Sequence, residues 1–121
     1  MEINVKRVYD PIGDDGYRVL VDRLWPRGLK KGTVKIDAWL KDLAPSTPLR
    51  KSFGHDPHKW KAFERKYWHE LDLHQDLVGR LQQLSKDTRI TLLYSATDTD
   101  HNNAIALKEY METHRIQRTE D

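Results

Sequence analysis

The chain contains no cysteine among its 121 residues. This absence excludes disulfides, thiolate metal ligands and cysteine nucleophiles, so packing alone must stabilise the fold. No stretch approaches the roughly 20 consecutive apolar residues that a membrane-spanning helix needs, and the first residues lack the apolar run of a secretory signal. We therefore expect a cytoplasmic protein with no membrane partner.

A strong excess of one charge is also missing. Lysine and arginine number 21 against 19 acidic residues, and the two signs are interleaved along most of the chain. This balance gives little support to nucleic-acid binding, although the densest basic run, residues 27–31, could contact phosphate. Hydrophobic residues make up 37% of the chain and include four tryptophans, which is enough for one core. We expect a single domain over residues 1–116 and a disordered tail at 117–121.

Several catalytic signatures are absent as well. The sequence has no Gly-x-Gly-x-x-Gly fingerprint, no Walker phosphate loop and no Gly-x-Ser-x-Gly elbow. Ser95 follows an apolar segment but lacks the flanking glycines of a hydrolase nucleophile. The cofactor therefore stays unknown at this point, and a serine-hydrolase function is disfavoured.

Three segments have the composition of β-strands. Residues 17–22 and 89–96 are rich in β-forming residues and continuously apolar in the middle, which is typical of strands covered on both faces of a parallel sheet. Residues 3–8 alternate apolar and polar side chains and suit an edge strand. The long helical segment between the two central strands predicts that they run parallel. The fold class that follows is α/β, with a small, mainly parallel sheet and helices on its faces.

Four segments predict helices. The clearest begins at Asp56 as N-cap, with Pro57 in its first turn, and the last begins near Asp100. The aromatic stripe of the clearest helix is formed by Trp60, Phe63, Tyr67 and Leu71. The other three helices carry, in chain order, Ile36, Trp39, Leu40 and Leu43, then Leu77, Leu81 and Leu84, and last Ala104, Leu107 and Met111.

Ligands of open α/β sheets bind beyond the carboxyl ends of the strands, and the loop after the first central strand lies there. Arg23 and Arg27 offer planar sets of donors to a phosphate or carboxylate, and Gly28 allows a close backbone approach. Trp25 is a further candidate ligand-binding residue, and Asp22 is a candidate catalytic group. Alternatively, Arg23 pairs with Asp22 or another neighbouring acid, and Trp25 belongs to the core.

The loop after the second central strand is the other candidate. Asp98 and His101 precede the last helix and are candidates for acid–base catalysis, and Asn102 is a candidate ligand-binding residue. A neutral imidazole at a helix N-terminus could serve as a base. In the alternative interpretation Asp98 forms a turn and Asp100 caps the helix, with no chemistry.

The segment that leads into the aromatic helix supplies a third group. His55 is a candidate catalytic residue, and together with His101 it is a candidate metal ligand, because imidazole suits zinc, iron or manganese. Asp56 and His58 could complete such a site. The spacing lacks the His-Glu-x-x-His arrangement and Asp56 is already expected as a cap, so no metal site is assigned.

A set of motifs runs through most of the chain, namely VKRVYD, RVLVDRLWPRG, LAPS, FGHDP, LLYSA and DHNNA. Together they resemble the YeaO-like (DUF488) family of uncharacterised bacterial proteins. Larger members of that family often carry a cysteine near the loop after the last strand, so any thiol chemistry does not transfer to this cysteine-free chain. The resemblance implies a compact α/β domain with a signature that includes Asp22, Arg23, Trp25, Pro26, Arg27, Gly28, His55, His101 and Asn102.

The leading hypothesis is an enzyme or small-molecule binder. In it, Arg23 and Arg27 hold an anionic, phosphate-bearing or nucleotide-like ligand, while His101, His55 or an aspartate transfers protons. One alternative is a nucleic-acid-associated regulator that uses the basic loop 27–31 and whose binding weakens steeply with salt. A second alternative is a metal-binding protein that uses His55 and His101.

Overall fold

Four parallel strands form the centre of the molecule. In the computed structural model, which describes residues 2–114, they are β1 (Ile3–Arg7), β2 (Tyr17–Leu20), β3 (Ala38–Trp39) and β4 (Ile90–Tyr94). The order across the sheet is β1-β4-β2-β3, and every pairing is parallel. The two predicted central strands therefore lie side by side with β1 at one edge, and the α/β fold class is confirmed. The tail predicted at 117–121 lies outside the described residues.

Four α-helices accompany the sheet: α1 (Thr47–Phe53), α2 (Trp60–Leu71), α3 (Gln75–Asp87) and α4 (Asn103–Thr113). The aromatic stripe predicted for α2 is confirmed, because Phe63, Tyr67 and Leu71 are buried. Asp56 caps a 3₁₀ turn that leads into this helix and accepts a hydrogen bond from the His58 N–H at 3.0 Å. Within residues 2–114, every helix is too short or too polar to cross a bilayer.

The prediction of a helix from Ile36 to Leu43 is wrong. Residues 38–39 form strand β3 instead, and only a 3₁₀ turn follows at 41–43. The Asp37 N–H donates to the Arg18 carbonyl at 2.8 Å, and the Leu40 N–H donates to the Leu20 carbonyl at 2.9 Å. Pairing with β2 therefore outweighs the helical spacing of the apolar residues in this segment.

The N-termini of two helices also differ from the prediction. Helix α1 was not predicted, although Ser46 is its N-cap and a proline lies in its first turn. The N-cap of α4 is Asn102, so the prediction that Asp100 caps this helix is wrong. The Asp98 carboxylate accepts both the Asp100 and the His101 N–H at 2.9 Å, which makes this segment a turn rather than the start of the helix.

The two faces of the sheet are covered differently. Buried residues of all four helices pack with Val19, Val21 and Leu92 on one face. On the other face lie Leu20 and Leu93, covered by apolar side chains that come from residues 25–39. The chain after β2 thus covers one face of the sheet and also carries the predicted arginines past the strand ends.

Candidate ligand-binding site

A cavity of about 640 Å³ opens beyond the carboxyl ends of the central strands. This volume is within the usual range of small-molecule sites. Its walls come from the loops after β1, β2 and β4, from α1 and from the beginning of α4. Of the nine residues predicted from the sequence, Gly28 and Asp98 lie outside the lining. The seven that line the cavity are Asp22, Arg23, Trp25, Arg27, His55, His101 and Asn102.

Asp22 connects the loops around the cavity. Its carboxylate accepts the Ser95 N–H at 2.9 Å and the Asn103 side-chain amide at 3.1 Å, and that amide also donates to the Val21 carbonyl at 2.8 Å. The carboxylate therefore joins the end of β2 to the end of β4 and to the first turn of α4. Ser95 and Asn103 were not among the predicted site residues, because these bonds form only when the two strands are neighbours.

Arg23 is fixed by backbone carbonyls. Its guanidinium donates to the Pro45 carbonyl and to the Ala44 carbonyl, each at 3.2 Å. The segment that provides these carbonyls is itself held by Glu70, whose carboxylate accepts the Ser46 N–H at 2.8 Å and the Ser46 hydroxyl at 2.6 Å. Arg23 lines the cavity and makes no direct ion pair with any acid of residues 2–114.

Two further arginines line the cavity with exposed side chains. Arg27 and Arg50 make no side-chain hydrogen bond or ion pair with the described part of the chain. Arg50 was missed because α1 was not predicted. The helix-start signal at Ser46 would have placed Arg50 on the same side of α1 as Phe53, three residues later. With Arg23, the lining has three guanidinium groups against the single carboxylate of Asp22.

His101 and Asp98 form a hydrogen-bonded pair. The His101 Nδ1 lies 3.1 Å from the Asp98 carboxylate, and the ring packs edge-on against Trp60 with centroids 5.3 Å apart. Hydrogen bonds from the Asp100 and His101 N–H groups lower the pKa of Asp98. Asp98 therefore orients the imidazole through Nδ1, and the Nε2 side of the ring stays available for a ligand.

Both polar atoms of the Asn102 side chain form hydrogen bonds within the protein. Its oxygen accepts the Ile105 N–H at 2.9 Å, and its amide donates to the Asp98 carbonyl at 3.0 Å. It is also 3% exposed. These contacts give Asn102 the role of an N-cap that positions the turn carrying His101.

His55 lines the cavity from an exposed loop. Its backbone has a φ of 57°, in the left-handed region, and its ring centroid lies 6.2 Å from that of Phe53. Within residues 2–114, no group of three or more His, Asp or Glu side chains is arranged to hold a metal ion. His55 and His101 thus line the cavity, but neither belongs to a group of three potential metal ligands among these residues.

The remaining predicted residues belong to the loop after β2. The Trp25 indole N–H donates to the Leu29 carbonyl at 2.5 Å, and its ring packs edge-on against Trp39 with centroids 5.3 Å apart. Gly28 has a φ of 81° and is exposed. The Lys31 ammonium lies 5.5 Å from the centroid of each tryptophan ring. The basic run 27–31 is therefore divided between the cavity and this tryptophan pair.

Comparisons with known proteins agree with the motif pattern. The model of the family described as "Inactive DUF488-N3 subclade" matches residues 2–121. The uncharacterised protein YeaO of Escherichia coli (strain K12) is 46% identical over 112 residues, which are 92% of this chain and 97% of YeaO. The uncharacterised protein Rv3073c of Mycobacterium tuberculosis (strain ATCC 25618 / H37Rv) is 40% identical over 100 residues, 82% of this chain and 81% of that protein. No solved structure matches significantly.

Proposed function

This chain belongs to the DUF488-N3 subclade that is described as inactive, and from that premise we propose that it binds a small anionic ligand without transforming it. The ligand is phosphate-bearing or nucleotide-like and lies in the cavity at the carboxyl ends of the strands. The description of the subclade favours binding over catalysis, and the absence of cysteine excludes a thiol nucleophile. The engaged side chains of Asp22 and Asn102 support the same choice, because their polar atoms already bond within the protein.

The observation that carries this proposal is the charge of the cavity lining. Arg23, Arg27 and Arg50 face one acidic side chain, Asp22, which already accepts two hydrogen bonds. Guanidinium groups form planar, often bidentate bonds with phosphate and carboxylate, and a positive concave surface concentrates anions. An anion would supply the acceptors that the exposed Arg27 and Arg50 side chains lack within the described residues.

Calorimetric titration with inorganic phosphate and ribose 5-phosphate, with ribose as the uncharged control, tests the proposal. Each of Arg27→Ala and Arg50→Ala should weaken binding of the phosphorylated ligands by roughly tenfold or more, because each removes a charge-assisted hydrogen bond. Arg80→Ala is the matched control, since this exposed arginine on α3 lies outside the cavity lining. Equal affinities for the wild type and both cavity variants would refute the proposal.

The nucleic-acid alternative makes a different prediction. A regulator that contacts several phosphates through residues 27–31 loses affinity steeply as salt rises, whereas a pocket that binds one anion shows a shallow dependence. The division of the basic run favours the pocket, because Arg27 lines the cavity while Lys31 lies over Trp25 and Trp39. Tight, steeply salt-dependent binding of an oligonucleotide that survives Arg50→Ala would favour the alternative.

A further inference from the structure

Two exposed apolar side chains lie in the same charged cavity. Among the described residues, the large hydrophobic side chains that remain exposed are Tyr9, Ile12, Leu24 and Leu73. Tyr9 is 40% exposed and Leu24 is 60% exposed, and both line the cavity, whereas Ile12 and Leu73 do not. Single exposed apolar residues are ordinary, but two that share a concave, arginine-rich surface indicate a ligand with an apolar part.

The Tyr9 ring is held in place before any ligand binds. Its hydroxyl donates to the Arg27 carbonyl at 2.9 Å, and the Arg7 guanidinium lies over the ring, 5.1 Å from the centroid. Arg7 is itself anchored, because it donates to the Ala96 carbonyl at 2.9 Å and to the Ser95 carbonyl at 3.3 Å. A flat ring fixed at its hydroxyl and across one face is a stacking platform that loses little entropy on binding.

The platform adjoins the anion-binding arginines. The backbone of Arg27 accepts the Tyr9 hydrogen bond, while the Arg27 side chain lines the cavity as part of its cationic wall. Leu24 belongs to the same loop and adds apolar surface three residues before Arg27. Tyr9 and Arg27 are therefore in direct contact and line the same cavity, so one ligand that joins a flat ring to an anion could contact both.

We infer that the ligand is a nucleoside monophosphate, with its base on Tyr9 beside Leu24 and its phosphate at Arg27 and Arg50. This inference rests on the proposed function and selects a planar ring joined to phosphate over other phosphate-bearing molecules. Stacking on an aromatic side chain accepts any base, because every base has a π-face. Discrimination among the bases is therefore expected to be smaller than discrimination between nucleotides and sugar phosphates.

Calorimetric titration of the full chain with the four ribonucleoside 5′-monophosphates, ribose 5-phosphate and inorganic phosphate tests the inference. At fixed pH and ionic strength, the best nucleotide should bind at least roughly tenfold more tightly than ribose 5-phosphate. Tyr9→Ala and Leu24→Ser should bring this ratio towards one. Leu73→Ser is the matched control, since Leu73 is 81% exposed and lies outside the cavity lining.

The Tyr9→Phe variant separates stacking from loop positioning. It keeps the ring and removes the hydroxyl that donates to Arg27, so it should retain most of the preference for nucleotides. A loss as large as that of Tyr9→Ala would overturn the stacking role. A wild-type ratio of one, with ribose 5-phosphate still bound in an arginine-dependent way, would overturn the inference and leave the proposed function standing. Failure of every phosphorylated ligand to bind would refute both.

Discussion

Replacing Glu64 by glutamine should stabilise the protein at alkaline pH and remove part of its pH dependence. Glu64 lies on α2, next to Glu109 on α4. Burial, followed by the neighbouring Glu109 carboxyl, raises the pKa of Glu64 from its usual 4.5 to about 7, and only Lys61 acts in the opposite direction. At pH 8 the folded protein must therefore carry two carboxylates side by side between packed helices.

The direction of the effect follows from proton linkage. The folded protein keeps the Glu64 proton up to about pH 7, whereas the unfolded chain releases it near pH 4.5. The contribution of Glu64 to the free energy of unfolding is therefore largest below pH 4.5, and it falls as the pH rises to 7. The full shift corresponds to about 3 kcal/mol. Because Glu109 is exposed and solvent screens the pair, we expect the free energy of unfolding of the wild type to fall by only about 1–2 kcal/mol over this pH range.

Urea unfolding at pH 5 and pH 8 measures this difference directly. The fall in unfolding free energy between the two pH values should be smaller by about 1–2 kcal/mol in Glu64→Gln than in the wild type. Glu112→Gln is the matched control, since Glu112 is an exposed residue of the same helix as Glu109. If Glu64→Gln and the wild type lose the same free energy between pH 5 and pH 8, the carboxyl pair does not control the pH dependence.

Three further substitutions test how the site is held, each by its urea unfolding curve. Asp22→Asn should lower the free energy of unfolding by about 1–3 kcal/mol, because the carboxylate joins β2 to β4 and α4. An unfolding curve like that of the wild type would contradict this role. Asn102→Ala should cost about 1 kcal/mol as a lost N-cap, whereas Asn102→Asp should keep most of the stability. His55→Val should cost about 1 kcal/mol or more, because a β-branched residue tolerates a φ of 57° poorly, and His55→Asn should be nearly neutral.

His101 and Asp22 have different roles at the cavity. His101 is oriented through Nδ1 by Asp98, an arrangement that could support proton transfer, yet the nearby Asp22 carboxylate serves as an acceptor between loops. A protonated imidazole held in this way can also donate a hydrogen bond from Nε2 to a bound anion. That second use fits the description of the subclade as inactive.

Much of the architecture is readable from short stretches of sequence. The spacing of apolar residues within a segment predicts which of them are buried, and this information is local. It identified the apolar runs that form β2 and β4 and the aromatic stripe of α2. Once those strands were placed, the rule that ligands bind at strand carboxyl ends selected the loops of Arg23, Arg27 and His101, and all three residues line one cavity.

The prediction failed where a partner distant in sequence decided the outcome. The segment around Trp39 has helical spacing, but β2 offers it unpaired backbone groups across the sheet, and it became a strand. Ser95 reaches the Asp22 carboxylate across 73 positions, and Asn103 reaches it across 81. Such pairs depend on the strand order β1-β4-β2-β3, which no local periodicity encodes.

The sequence by itself determined that the chain would form an α/β domain with an arginine-rich loop at the strand ends. Only the tertiary structure decided that Tyr9, Leu24 and Arg50 would share one cavity with those arginines. The reason is that side-chain periodicity indicates whether a residue is buried. The position of a cavity depends instead on which strands are neighbours in the sheet, because this decides which loops meet. Here three loops meet because β4 is inserted between β1 and β2, a pairing fixed by hydrogen bonds between strands far apart in the chain.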